Sequence, residues 1–166
     1  MPAAGAAARL RRFGVLRIIR AVLGGERSLP SVRFPVRHRV YEQAVKAIQE
    51  HKWLQSEKAG RDVGPEAAQD WNRRYWLRFY RQRFVQHLRG EAFFEEFGTE
   101  CYRLVAGGLT ASGEILDTVL DKVQEGAENL ELICWARHHR LPRDQVLEIL
   151  KALNINSRRL PPPRID

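Results

Sequence analysis

Residues 65–90 read PEAAQDWNRRYWLRFYRQRFVQHLRG. Proline is tolerated in a first helical turn because the amide hydrogen it lacks would have no partner there. No helix breaker follows until Gly90, which suits the left-handed residue that ends many helices. The stretch therefore predicts one helix over 65–89, roughly 37 Å long at 1.5 Å per residue. That length makes it the spine of the fold. Leu77, Tyr80, Phe84 and Leu88 line one stripe of this helix. Trp76 lies beside the stripe, and Trp71 and Phe79 lie further round.

A spine of that size needs partners on either side in the chain. Upstream, Val40, Tyr41, Ala44, Val45 and Ile48 share one face at helical spacing, which predicts a helix over 37–58 ending before Gly60. Downstream, Phe93, Phe94, Phe97, Cys101, Leu104 and Val105 repeat that spacing up to Gly107-Gly108. Shorter helices follow over 113–124 (capped by Ser112), 127–139 and 142–154. No stretch alternates with period two, so no strand is expected. The expected fold is all-α: a single domain of about six helices over residues 35–156. A tail from Ser157, with three consecutive prolines, is expected to be extended and mobile.

The chain has 166 residues and a net charge of +8, but the charge is unevenly divided. Residues 1–40 hold nine arginines and one acid, Glu26; residues 41–166 hold 19 basic and 19 acidic residues. Most of the excess thus belongs to an N-terminal extension over 1–34. Its first 25 residues lack any acid and have the composition of a mitochondrial transit peptide, though arginines interrupt every apolar face. A flexible basic extension accounts for the same residues. Within the body, residues 71–90 carry six arginines and no acid, while residues 91–132 carry ten acids against Arg103 and Lys122. The simplest expectation is that these two segments face each other. No run approaches the ~20 apolar residues of a membrane span. Two cysteines exclude a disulfide-dense scaffold and point to a reducing compartment.

Residues 42–64, EQAVKAIQEHKWLQSEKAGRDVG, together with DWNRRYWLRFYRQRF at 70–84, resemble small uncharacterised bacterial proteins. The resemblance rests on the Lys-Trp, Ser-Glu-Lys-Ala-Gly and Trp/Arg-rich elements. It implies a cytoplasmic location, with the mitochondrial matrix as the alternative raised by the N-terminus. It carries no activity.

Two features are candidates for binding. Arg74, Arg78 and Arg81 recur at i, i+4 and i+7 on the long helix and could follow a phosphate backbone, or pair internally with acids. In ICWARHHRLPRDQVLEILKAL (133–153), Ala136, Leu141, Val146 and Ile149 have helix-turn-helix spacing, but Arg140 stands where the turn usually holds glycine. In that reading Arg143 and Gln145 would meet a guanine and an adenine edge. Catalytic motifs are missing: there is no phosphate-cradling glycine loop, G-x-S-x-G or H-E-x-x-H. Cys134 and His138 are half a zinc site, with Cys101, His87 and His139 lacking ligand spacing; a buried Cys134 is the simpler expectation. No catalytic residue, metal or cofactor is therefore assigned. The sequence reads as a non-catalytic binding module for a protein partner, a second copy of itself or nucleic acid, with an imported structural subunit as the alternative.

Overall fold

The computed structural model describes residues 36–107 and 113–164. The basic extension and the Ser112 cap lie outside them. Five α-helices run through the described residues: α1 (Val40–Ala59), α2 (Glu66–Arg89), α3 (Gly113–Glu125), α4 (Asn129–His138) and α5 (Arg143–Leu153). The body is thus mostly helical, as the sequence indicates. The spine α2 starts directly after Gly64-Pro65 and stops at Gly90, which sits at φ 76°. There Gly90 N–H donates to His87 O and Glu91 N–H to Gln86 O, the paired bonds that close a helix around a left-handed residue. A side chain at Gly90 would also collide with the Arg103 stem, 2.3 Å from where its Cβ would lie.

Helices α1 and α3 pack on α2, and α5 leans on α3. Val40, Ala44 and Ile48 bury one face of α1, as their spacing predicts. On α2 the buried arc is wider than one stripe. Trp71, Trp76, Tyr80, Phe84, Val85 and Leu88 are all inside. Leu77, expected in the core stripe, is 42% exposed. Trp76 takes its place because the larger ring removes more apolar surface from water for the same one-residue rotation. The ring of Phe79, expected to point away, packs edge-on against Trp71 at 5.0 Å and under the Arg83 guanidinium at 3.4 Å.

The helix expected over 93–105 does not form. Phe93–Phe94 instead pairs in parallel with Arg37–His38, in the register Arg37↔Phe93 and His38↔Phe94. One 3₁₀ turn, Glu95–Phe97, follows and stops at Gly98, which sits at φ 72°. Phe93, Phe94, Phe97 and Cys101 are buried all the same, so the apolar spacing is right and the backbone path is not helical. The reason is His87. Its ring is fully buried: Nδ1 accepts the Phe94 N–H at 3.0 Å, and Nε2 donates to Gly98 O at 2.8 Å. These two bonds take up a backbone N–H and a carbonyl that a helix would have used in two separate bonds, Phe94 N–H to Gly90 O and Tyr102 N–H to Gly98 O.

The tail is extended, and its described residues contact the body. After α5 and a 3₁₀ turn at Ile155–Arg158, Leu160, Pro161 and Pro163 offer carbonyls to Trp76 Nε1 (2.9 Å), Tyr41 Oη (3.1 Å) and Asn72 Nδ2 (3.1 Å). Pro163 is buried. Prolines have no N–H of their own, so only their carbonyls need partners, and α1 and α2 supply donors for them.

Two outcomes test this fold. Phe84→Ala should cost about 3–5 kcal/mol in denaturant unfolding, and Leu77→Ala far less. His87 should make stability depend on pH. Burial, aided by the positive charge of Arg158 and partly opposed by the hydrogen bond to Gly98 O, lowers its pKa from 6.5 to about 4. The unfolded chain then takes up a second ring proton first as pH falls. Stability contributed by the neutral ring is complete above pH 6.5 and is lost as pH drops towards 4, by about 3 kcal/mol in all. His87→Gln, which keeps one donor and one acceptor, should flatten that slope in unfolding midpoints measured across the window.

Candidate binding site

The arginine row on α2 is mostly occupied internally. Arg74 Nε pairs with Asp70 Oδ1 one turn back, at 2.7 Å. Arg78 Nε donates to the Glu125 carbonyl at 3.2 Å, placing a cation at the negative end of α3. Arg81 is 1% exposed, so it cannot join a surface row. Its Nη2 meets Glu128 Oε1 at 3.3 Å, while Nε and Nη1 are buried without a partner among the described residues. Arg89 lies 3.6 Å from both Asp117 and Asp121. The Arg-rich segment does face the acidic one within the fold. Only Arg74 and Arg78 of the three candidates reach the surface, and each already has a partner.

Helices α4 and α5 form the hairpin that their spacing suggests. Ala136, Val146 and Ile149 are buried between them and the rest of the body, with Leu141 half-buried. The turn is made by Arg140 itself, at φ 55°. Arg140 N–H donates to Arg137 O (3.2 Å) and Leu141 N–H to Ala136 O (2.9 Å). That is the same closure used at Gly90 and at Gly126, where φ is 104°. Helices α1, α2 and α3 end on glycine in the left-handed region, at Gly60, Gly90 and Gly126, and α5 ends there on Asn154; α4 is closed there by an arginine, at an intrinsic cost of about 1–2 kcal/mol.

A groove of about 470 Å³ opens between the two helices. Ile133, Ala136, Leu141, Val146 and Leu147 form its apolar floor, and Arg137, Arg140 and Arg143 stand around it. All three arginines are exposed. Among the described residues none of their side chains has an ion-pair or hydrogen-bond partner. Elsewhere in the body arginines are mostly paired; the other exceptions, Arg73, Arg103 and Arg164, stand on α2, in the loop before α3 and in the tail. Residues 132–143 contain no acid but three arginines and two histidines, a local signal that was present in the sequence and overshadowed by the richer arginine content of α2.

Gln145 does not stand free on α5. It is half-buried, and its Oε1 is enclosed without a donor among the described residues, so it is not placed to read a base edge. Arg143 is. Cys134 is exposed and Cys101 is the buried thiol, the reverse of the expected assignment for Cys134. Among the described residues no three His, Cys, Asp or Glu side chains are grouped to hold a metal, and no helix is long and apolar enough to cross a membrane. No protein-family model, curated protein or solved structure matches this chain.

Because Arg140 holds a conformation that glycine adopts freely, Arg140→Gly should raise stability by up to about 1 kcal/mol. Thermal or urea unfolding of the two chains measures it, and a loss of stability would mean that the Arg140 side chain is held by the fold.

Proposed function

We propose that this protein is a non-catalytic helical binding module that holds a polyanion, the phosphate backbone of a nucleic acid, on its α4–α5 hairpin. The observation that supports the reading is the convergence of Arg137, Arg140 and Arg143, unpaired and exposed, around one groove. Each guanidinium offers a fork of donors that matches phosphate oxygens. Contact is confined to the hairpin tip, because the outer face of α5 carries Asp144 and Glu148 as well as Lys151. With Gln145 tucked in, discrimination between base sequences is weak. A second reading, a protein segment with acidic side chains, is favoured by the apolar floor of the same groove, which phosphates would leave uncovered.

Retention of duplex DNA and of single-stranded RNA, measured against salt concentration, tests the first reading. Replacing the three arginines together (Arg137→Ala, Arg140→Gly, Arg143→Ala) should flatten the slope of log affinity against log salt by about 2–3 units. Arg74→Ala should leave that slope alone. A wild-type chain that shows no salt-sensitive retention of either nucleic acid rules the reading out.

A further inference from the structure

The hairpin is not the only recognition geometry in the molecule. Where α1 crosses α2, the rings of Tyr41 and Trp76 stack at 5.7 Å with 17° between their planes. Around that aromatic floor stand three side-chain donors: Trp76 Nε1–H, Tyr41 O–H and Asn72 Nδ2–H. Each meets a main-chain carbonyl of the tail, at Leu160, Pro161 and Pro163 respectively. We infer that this groove is a recognition site for a proline-rich segment bearing an arginine, filled here by the chain's own residues 159–163 and open to exchange with such a segment from a partner protein.

The chemistry on both sides is that of polyproline binding. A polyproline II strand has no internal hydrogen bonds and presents its carbonyls outward, so its receptor must offer donors and a flat apolar surface. The groove offers both. Burial and the neighbouring Glu96 raise the pKa of Tyr41, so its hydroxyl keeps the proton it donates. Direction is set at one end: Arg159, just ahead of Leu160, pairs with Glu128. A proline strand reads similarly in both directions, and a charged flank distinguishes them.

The resident strap leaves one of the groove's polar atoms unmet. Asn72 Oδ1, on the amide that holds the Pro163 carbonyl, is buried and has no donor among the described residues. Prolines cannot supply one. A segment with an ordinary residue near that position would bring an N–H to it, so the resident tail is not the best ligand this groove can hold. The inference is independent of the hairpin: none of its residues lines the groove between α4 and α5.

The test uses the full chain. Replacing Pro161, Pro162 and Pro163 by glycine should release the tail and shift the indole N–H resonance of Trp76, assigned through Trp76→Phe. Adding the peptide RRLPPPRID in trans should return that resonance to its wild-type position. Exchanging the peptide's two leading arginines for glutamate, or Asn72→Ala in the protein, should weaken binding about tenfold. No return of the resonance at millimolar peptide overturns the inference. Should the triple-glycine chain fail to fold, the wild-type chain decides: a nitroxide-labelled RRLPPPRID at millimolar concentration must broaden the Trp76 indole resonance by displacing the tail, and an unbroadened resonance refutes exchange. A wild-type dimer that the peptide dissociates would assign the groove to a second copy and refute the partner-protein assignment.

Discussion

A guanidinium buried in the middle of the longest helix is the constraint around which the body is arranged. Arg81 carries its guanidinium on a side chain that is 1% exposed, so a carboxylate has to come to it. Glu128 is that carboxylate, and it has two further duties. It is the first residue of a capping box at the start of α4, in which Glu131 returns a bond to its N–H at 2.8 Å. Its other oxygen takes Arg159 at the start of the proline strap. One side chain therefore ties the spine, the α4–α5 hairpin and the tail together. Apolar burial along α2 supplies most of the stability; the ion pair fixes which parts meet. Removing one partner of such a pair costs more than the pair is worth, about 3–5 kcal/mol, because the other charge is left enclosed.

The charge division of the sequence takes on a physical sense in this light. The arginines of α2 look like a binding face when only their spacing is known, and in the fold they are structural: one closes a helix end, one is buried, one bridges two acids of α3. Half of the unpaired arginines among the described residues, Arg137, Arg140 and Arg143, stand around the hairpin turn, where a left-handed arginine replaces the glycine used at the ends of α1, α2 and α3. Backbone strain of that kind persists where surrounding contacts impose it, and here it presents a cation at the tip.

The helices were legible because their stops are glycines and their apolar residues repeat at 3.6. The hairpin, whose helices end on Arg140 and Asn154 rather than glycine, was legible from spacing alone, at Ala136, Leu141, Val146 and Ile149. The segment 93–105 was not, since Phe93, Phe94, Phe97 and Cys101 carry helical spacing while their backbone is held by a histidine ring; nothing in the pattern reveals His87 as the anchor. A two-residue bridge is too short to alternate. Adjacent positions such as Trp76 and Leu77 cannot be told apart by period alone, and which one turns inward depends on two flanking helices. Inward-facing Arg81 was concealed by its own charge. The prolines announced an extended tail but not its donors, which lie far away in the chain on α1 and α2.

That separation has a consequence for how the molecule is made. The Tyr41–Pro161 bond spans 120 positions, so a ribosome adding about 5–20 residues per second delivers the strap roughly 6–24 s after α1. Throughout that interval the Tyr41–Trp76 stack has no cover and its donors face water. Assembly thus begins with an aromatic surface left open until residues 160–163 emerge, 120 positions after Tyr41.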